Sequence, residues 1–277
     1  MPGTVAADIR VPLGIFGAHD VAMFDVRAVD LRLLNSLTKY PSIPTYHTLD
    51  PRDGGLTDPA TVFPGGVIAT EKVDGTNSRL VLLPDGSYLI GSREELLYAK
   101  GDLIGNPALG IVEQLRPVAE RLPAGAGIRV YYLELYGGKV GGAAKQYTRD
   151  STRFGWRLFD VADLVDWREP LTWAPARISA WRESGGQPWV PEDALVTVAA
   201  AAGLELTPRV WHRPGAELPA AIEDMHKLLT ETLPGTLVGL DGVSGRAEGL
   251  VLRAPDRSVI AKARFQDYER TLRRRRG

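Results

Sequence analysis

Val67-Ile68-Ala69 is an apolar run that leads into Glu71-Lys72-Val73-Asp74-Gly75, and this join constrains the chain more than any other stretch. The run reads as a buried strand, and an Asp-Gly pair after it is a turn signal. Lys72 therefore stands at a strand end with carboxylates on either side. Such an amine can act as a covalent nucleophile when it is neutral, a form that desolvation or neighbouring cations favour. The same residues also describe a surface strand that ends in an ordinary hairpin turn. Which reading holds depends on whether the rest of the chain supplies partners.

Composition narrows the classes. With 277 residues the chain can build one large domain or two modest ones, each with a real core. A hydrophobic share of 44% and a charged share of 24% are those of an ordinary globular protein. The absence of cysteine excludes disulfides and thiolate metal sites and points to a reducing cytoplasm. No apolar run approaches membrane-spanning length, and no basic-then-apolar leader opens the chain. The net charge of −1 leaves room only for a local basic groove. Arginine supplies 26 of the 33 basic residues, a bias that GC-rich coding explains as well as phosphate binding does. The four histidines are scattered without metal-ligand spacing, and no phosphate-cradling Gly-Lys-Thr loop is present.

Patterning gives a mixed α+β chain. Residues 78 to 83 and 87 to 91, joined by Pro84-Asp85-Gly86, form the clearest hairpin. Further strands are expected over 9 to 16, 129 to 135, 155 to 161, 249 to 253 and 258 to 263. Helices are expected over 111 to 121, 194 to 202 and 216 to 229. Residues 43 to 66 read as a loop because Pro, Gly and Asp crowd it. Trp167, Trp173, Trp181 and Trp189 read as anchors for an irregular segment. Arg273 to Arg276 read as a solvated tail.

The partners follow in order: Tyr132-Leu133-Glu134-Leu135-Tyr136-Gly137, Trp156-Arg157-Leu158-Phe159-Asp160-Val161, Ala247-Glu248-Gly249-Leu250-Val251-Leu252-Arg253 and Val259-Ile260-Ala261-Lys262-Ala263-Arg264-Phe265. Together with Lys72-Val73-Asp74-Gly75 this series resembles the ordered motifs of the covalent nucleotidyltransferases, which are RNA ligases, DNA ligases and mRNA capping enzymes. It is most similar to the RNA ligase 2-like branch. Lys39-Tyr40-Pro41-Ser42-Ile43, Thr76-Asn77 and Gly91-Ser92-Arg93 add to that likeness, which covers roughly residues 39 to 268.

The resemblance implies a nucleotidyltransferase (ligase adenylation domain) fold, with two antiparallel sheets around a nucleotide cleft. Residues 1 to 38 would be an extension packed on that domain, and 269 to 277 a basic tail. It implies an ATP-dependent RNA ligase in which Lys72 forms a lysyl-AMP with help from Mg2+ or Mn2+. AMP would pass to a 5′-phosphate RNA end that is then sealed to a 3′-hydroxyl, in a nicked duplex by preference. Glu248 would lie by the lysine, and Glu134 and Glu248 would hold the metal, directly or through water. Glu134 would also accept a hydrogen bond from the ribose, and Phe159 would stack on adenine. Lys262 and Arg264, which share a strand face, would meet the α-phosphate. Glu71 and Arg93 would complete nucleotide binding, and Asp74, Asn77, Arg93 and Arg253 would meet RNA.

Three substitutions depart from the branch's usual residues. Arg264 and Arg253 stand where it carries lysine, and Asp74 where some members carry histidine. Only 15 residues follow Lys262, where such ligases often carry a separate RNA-holding domain. The alternatives are a transferase that acts on another acceptor or relies on a protein partner for RNA, and a silent RNA-binding relative.

Overall fold

The computed structural model describes residues 24–99, 104–105, 110–123 and 125–276. In chain order the elements are α1 (Leu31–Thr38), β1 (His47–Leu49), β2 (Leu56–Ala60), β3 (Gly66–Lys72), β4 (Thr76–Leu82), β5 (Tyr88–Ser92), β6 (Leu96–Ala99), β7 (Ile104–Gly105) and α2 (Ile111–Ala119). They continue with β8 (Ile128–Gly137), β9 (Phe154–Leu164), α3 (Pro175–Glu183), α4 (Glu192–Ala202), β10 (Arg209–Pro214), α5 (Ile222–Thr232), β11 (Gly249–Arg253), β12 (Ile260–Arg264) and α6 (Phe265–Arg276).

Two antiparallel sheets dominate. One has six strands in the order β7-β6-β5-β4-β8-β9, and the other has four in the order β10-β3-β11-β12. The turn after Lys72 carries the chain from the four-stranded sheet into the six-stranded one, so the lysine sits at their junction.

Residues Leu80, Val81, Leu82 and Leu83 are all buried because the six-stranded sheet is covered on both faces. Leu80 and Leu82 pack with Ile111, Leu115 and Leu195 of α2 and α4. Val81 and Leu83 pack with Leu34 and Leu37 of α1 and Ile178 of α3. The four-stranded sheet buries Val67, Ala69, Leu250 and Leu252 against Met225 and Leu229 of α5 and Phe265 and Tyr268 of α6. Among the described residues no helix is long and apolar enough to cross a membrane.

Several expectations are corrected. Residues 43 to 66 hold the hairpin β1-β2, whose brevity and internal Pro59 hide it in a Pro- and Gly-rich stretch. Leu56 N donates to Thr271 Oγ1 at 2.9 Å, which ties that hairpin to α6. The terminal arginines are exposed, as a solvated segment would be, but they belong to the helix α6 and not to a tail. That helix buries Phe265, Tyr268 and Thr271, and cations at a helix C-terminus are favoured by the backbone dipole. The tryptophan segment contains the helix α3, with Trp167 buried and its three companions packed on the same core. The last internal helix begins at Ile222, beyond Pro219. Strands β6, β7 and β10 were not foreseen, being short or flanked by turns. The strand expected over 9 to 16 lies outside the described residues.

Candidate active site

A cleft of about 390 Å³ opens where the two sheets meet, and Lys72, Asp74, Asn77, Glu134, Phe159, Glu248, Lys262 and Arg264 all line it. This volume falls in the usual range for small-ligand sites. Residues spread over nearly two hundred positions converge because each lies in or beside a strand that borders the cleft.

Lys72 is the last residue of β3 and pairs in register with Gly249 of β11, which brings the preceding Glu248 beside it. Lys72 Nζ donates to Glu248 Oε2 at 2.5 Å, with both side chains mostly buried. Gly249 has φ +154°, and a Cβ there would lie 2.1 Å from the Ala263 carbonyl oxygen, so only glycine lets Glu248 approach along this path. Gly75 is needed for a similar reason, since its Cβ would lie 2.1 Å from the Leu135 carbonyl oxygen of β8. That approach lets Gly75 N donate to Glu134 Oε1 at 3.1 Å.

The electrostatics are those of carboxylates crowded in a poorly hydrated cleft. Burial pushes Glu134 up to about 7, against the opposing pull of Lys72 and the Gly75 amide, while Glu248 and Asp74 push it further up. Glu248 is also raised, first by burial, although Lys72 counters it. Lys262 is lowered by burial and by the nearby cations Arg264, Lys72 and Arg93. Burial that disfavours both kinds of charge in one cleft marks it as a candidate functional site.

Lys262 pairs with Val251 in β12, and Arg264 follows two residues on along the same strand. Arg264 Nε donates to Asp267 Oδ2 at 2.7 Å, and its Nη1 lies 4.0 Å from Glu248 Oε1. Phe159 stands edge-on to Tyr40, with ring centroids 5.0 Å apart at 87°. Asn77 is opposite Glu134 in the sheet, and its buried Oδ1 has no hydrogen-bond partner. Arg93 is exposed at the rim and donates to Ser42 Oγ at 3.3 Å. Asp74 lies exposed at the mouth, and its N–H donates to the Tyr147 hydroxyl at 2.6 Å.

Two residues expected to meet ligands are committed elsewhere. Arg253 has a side chain only 3% exposed, donates to the Phe159 carbonyl at 3.1 Å and lies 3.6 Å from Asp160 and 3.7 Å from Glu192. A guanidinium buried against two carboxylates is not available to an RNA phosphate, so its RNA-binding assignment is corrected. It braces the strand behind Phe159 instead. Glu71 accepts from Thr236 Oγ1 at 2.5 Å and from Leu237 N at 2.8 Å. Its carboxylate therefore anchors the 236–237 loop, and its backbone N–H donates to the Pro208 carbonyl at 2.9 Å.

Sequence reading missed Tyr147 and Thr236, because nothing local marks a partner that acts across 73 or 165 positions. It also missed Arg257, which donates to Asp160 Oδ2 at 2.7 Å and to the Tyr40 hydroxyl at 2.8 Å behind the Phe159 wall. Among the described residues no three His, Cys, Asp or Glu side chains form a ready metal cage. Glu134 and Glu248 instead flank one ammonium, a donor set suited to a water-bridged divalent ion and not to a fully protein-ligated one.

Two antiparallel sheets around a lysine-bearing cleft define the nucleotidyltransferase fold. The family model for RNA ligase matches residues 65–265, well over half of the chain, and the chain belongs to that family. Among solved structures it is similar to an apo mutant of an RNA ligase from Naegleria gruberi, at 13% identity and TM-score 0.54, covering 84% of this chain and 57% of that one. A Naegleria gruberi RNA ligase with PPi matches at 12% identity and TM-score 0.53, covering 86% of this chain and 59% of that one. A mutant of the same organism's RNA ligase with ATP and Mn matches at 14% identity and TM-score 0.50, covering 84% and 62%. The chain thus spans about three fifths of the length of these ligases. A search of curated proteins finds no match.

Proposed function

We propose that this protein is an ATP-dependent RNA ligase working through a lysyl-AMP on Lys72. The observation that carries this reading is the Lys72 Nζ to Glu248 Oε2 contact of 2.5 Å inside a cleft lined by Glu134, Phe159 and Lys262. Lys72 Nζ attacks the α-phosphorus of ATP as its proton passes to Glu248. The N–P bond forms, the bond from α-phosphorus to the bridging oxygen breaks, and pyrophosphate leaves. Lys262 and Arg264 offset the charge on the phosphate, Glu134 orients the ribose and Phe159 holds the adenine. The Naegleria relative with ATP and Mn supports a nucleotide with a divalent metal. Glu134 and Glu248 would hold that metal through water, and it would supply further charge neutralisation at the phosphates.

AMP is then transferred to a 5′-phosphate RNA end, and a 3′-hydroxyl displaces it to close the strand. Asn77, with its unpartnered Oδ1, and Arg93 act on the RNA ends. The reading is tested by offering the purified protein a 5′-adenylated RNA strand beside a 3′-hydroxyl on a complementary strand, without ATP. Joining at low salt is expected, and Arg93→Ala should slow it more than it slows self-adenylation. Self-adenylation without any joining would favour a transferase for another acceptor.

A further inference from the structure

The segment between β8 and β9 gathers cations that no carboxylate answers. Lys139, Lys145 and Arg149 line a second cavity of about 680 Å³ together with Thr148 and Ser151. All three cations are exposed, and among the described residues none reaches ion-pair distance of a carboxylate. The neighbouring acids are already engaged. Asp150 accepts from Thr152 N and Oγ1 at 2.8 and 2.7 Å, and Asp241 is held by Thr148 and Arg153. The arginine-rich end of α6 differs, since Arg274 pairs with Asp53 at 3.3 Å and Arg275 with Asp58 and Glu223 at 3.1 Å each.

The segment is firmly attached beside the cleft. The Tyr147 hydroxyl accepts from Asp74 N at 2.6 Å, two residues from the reactive lysine. The Tyr147 carbonyl accepts from Leu240 N at 2.8 Å, and Gln146 Oε1 accepts from Arg246 N at 2.7 Å. Gly141 takes a left-handed turn at φ +62°, and a Cβ at Gly142 would meet nothing within 4 Å. Packing does not demand glycine at 142, and the bare backbone of the pair leaves amides that a phosphate can approach closely.

We propose that this surface docks the phosphodiester backbone of the RNA strand being joined, next to the turn that carries Lys72. The inference rests on the ligase reading above and adds where the strand lies. A chain of net charge −1 has no overall field to draw in a polyanion, so the binding cations have to be local and uncompensated.

The test measures binding of a labelled nicked duplex with a 5′-adenylated RNA strand across a salt series, using the whole chain. Three proteins are compared: the parent, Lys139→Ser/Lys145→Ser/Arg149→Ser, and a control, Arg27→Ser/Arg121→Ser/Lys227→Ser, that removes three exposed cations elsewhere. The loop variant should bind roughly tenfold or more weakly at moderate salt, with a log-affinity against log-salt slope flatter by about 2–3. Its self-adenylation with labelled ATP should equal the parent's, which also certifies folding, and the control should match the parent in affinity and slope. An unchanged slope in the loop variant, or an equal loss in the control, overturns the proposal. Loss of self-adenylation in the loop variant would assign these cations to the nucleotide and overturns it too. A parent that never self-adenylates defeats the ligase reading instead, while a flattened salt slope would still uphold the RNA surface.

Discussion

Gly75 stands where the two sheets touch, and its missing side chain lets the Leu135 carbonyl lie where a Cβ would otherwise be, 2.1 Å away. Gly75→Ala must push β4 from β8 or twist the turn, so a loss of about 1–3 kcal/mol is expected, as for overpacking. Denaturant unfolding measures it, and a variant as stable as the parent would contradict the geometry. Glu134 makes a pH prediction. Its folded value of about 7 lies above the 4.5 of an ordinary glutamate, so between these values the folded state holds more proton than the unfolded chain. Stability from this group is therefore full below about pH 4.5 and is lost as pH rises through about 7. Glu134→Gln should flatten the unfolding free energy across that window, and parallel curves for the two proteins would refute the shift. Phe159→Ala removes a stacking surface worth about 1–3 kcal/mol per base, so the ATP concentration for half-maximal self-adenylation should rise about tenfold or more. An unchanged requirement would reassign Phe159 to packing alone.

At the level of elements, α6 is where the sequence was least readable. Four consecutive arginines look like a tail because local composition carries no trace of the distant residues that receive two of them. Arg274 pairs with Asp53, and Arg275 with Asp58 of β2 and Glu223 of α5. The helix also carries Asp267 in its first turn, buried to 1% exposure and bonded to Arg264 and Arg270. Asp267→Ala strands two guanidinium groups and frees Arg264 from its cleft-side position. A loss of about 2 kcal/mol is expected, below the figure for a fully buried pair because both arginines are part exposed. Self-adenylation should fall with it, and Asp267→Asn should restore part of the stability but less of the activity. Equal recovery of both would make Asp267 a packing residue only. The strands that carry the motifs were legible for the opposite reason. Lys72, Glu134, Glu248 and Lys262 each stand in or beside an apolar run that buries itself locally. Arg253 misled because its basic character is visible in the sequence, whereas the two carboxylates that bury it are not.

At the scale of the whole molecule, the two sheets meet at one cleft, and the proposed covalent chemistry falls at the short turn that carries the chain from β3 into β4. The order of motifs along the chain was readable; the side-chain ties that hold the turn were not. Tyr147, Thr236 and Arg257 act across long separations that no periodicity marks. The central claim is that Lys72 becomes covalently adenylated. Incubation with ATP labelled at the α-phosphate and a divalent metal, followed by denaturing electrophoresis, tests it most directly. Label is expected on the protein through an acid-labile, base-stable bond, released on adding pyrophosphate and absent from Lys72→Ala. Label that persists undiminished in Lys72→Ala would contradict the account.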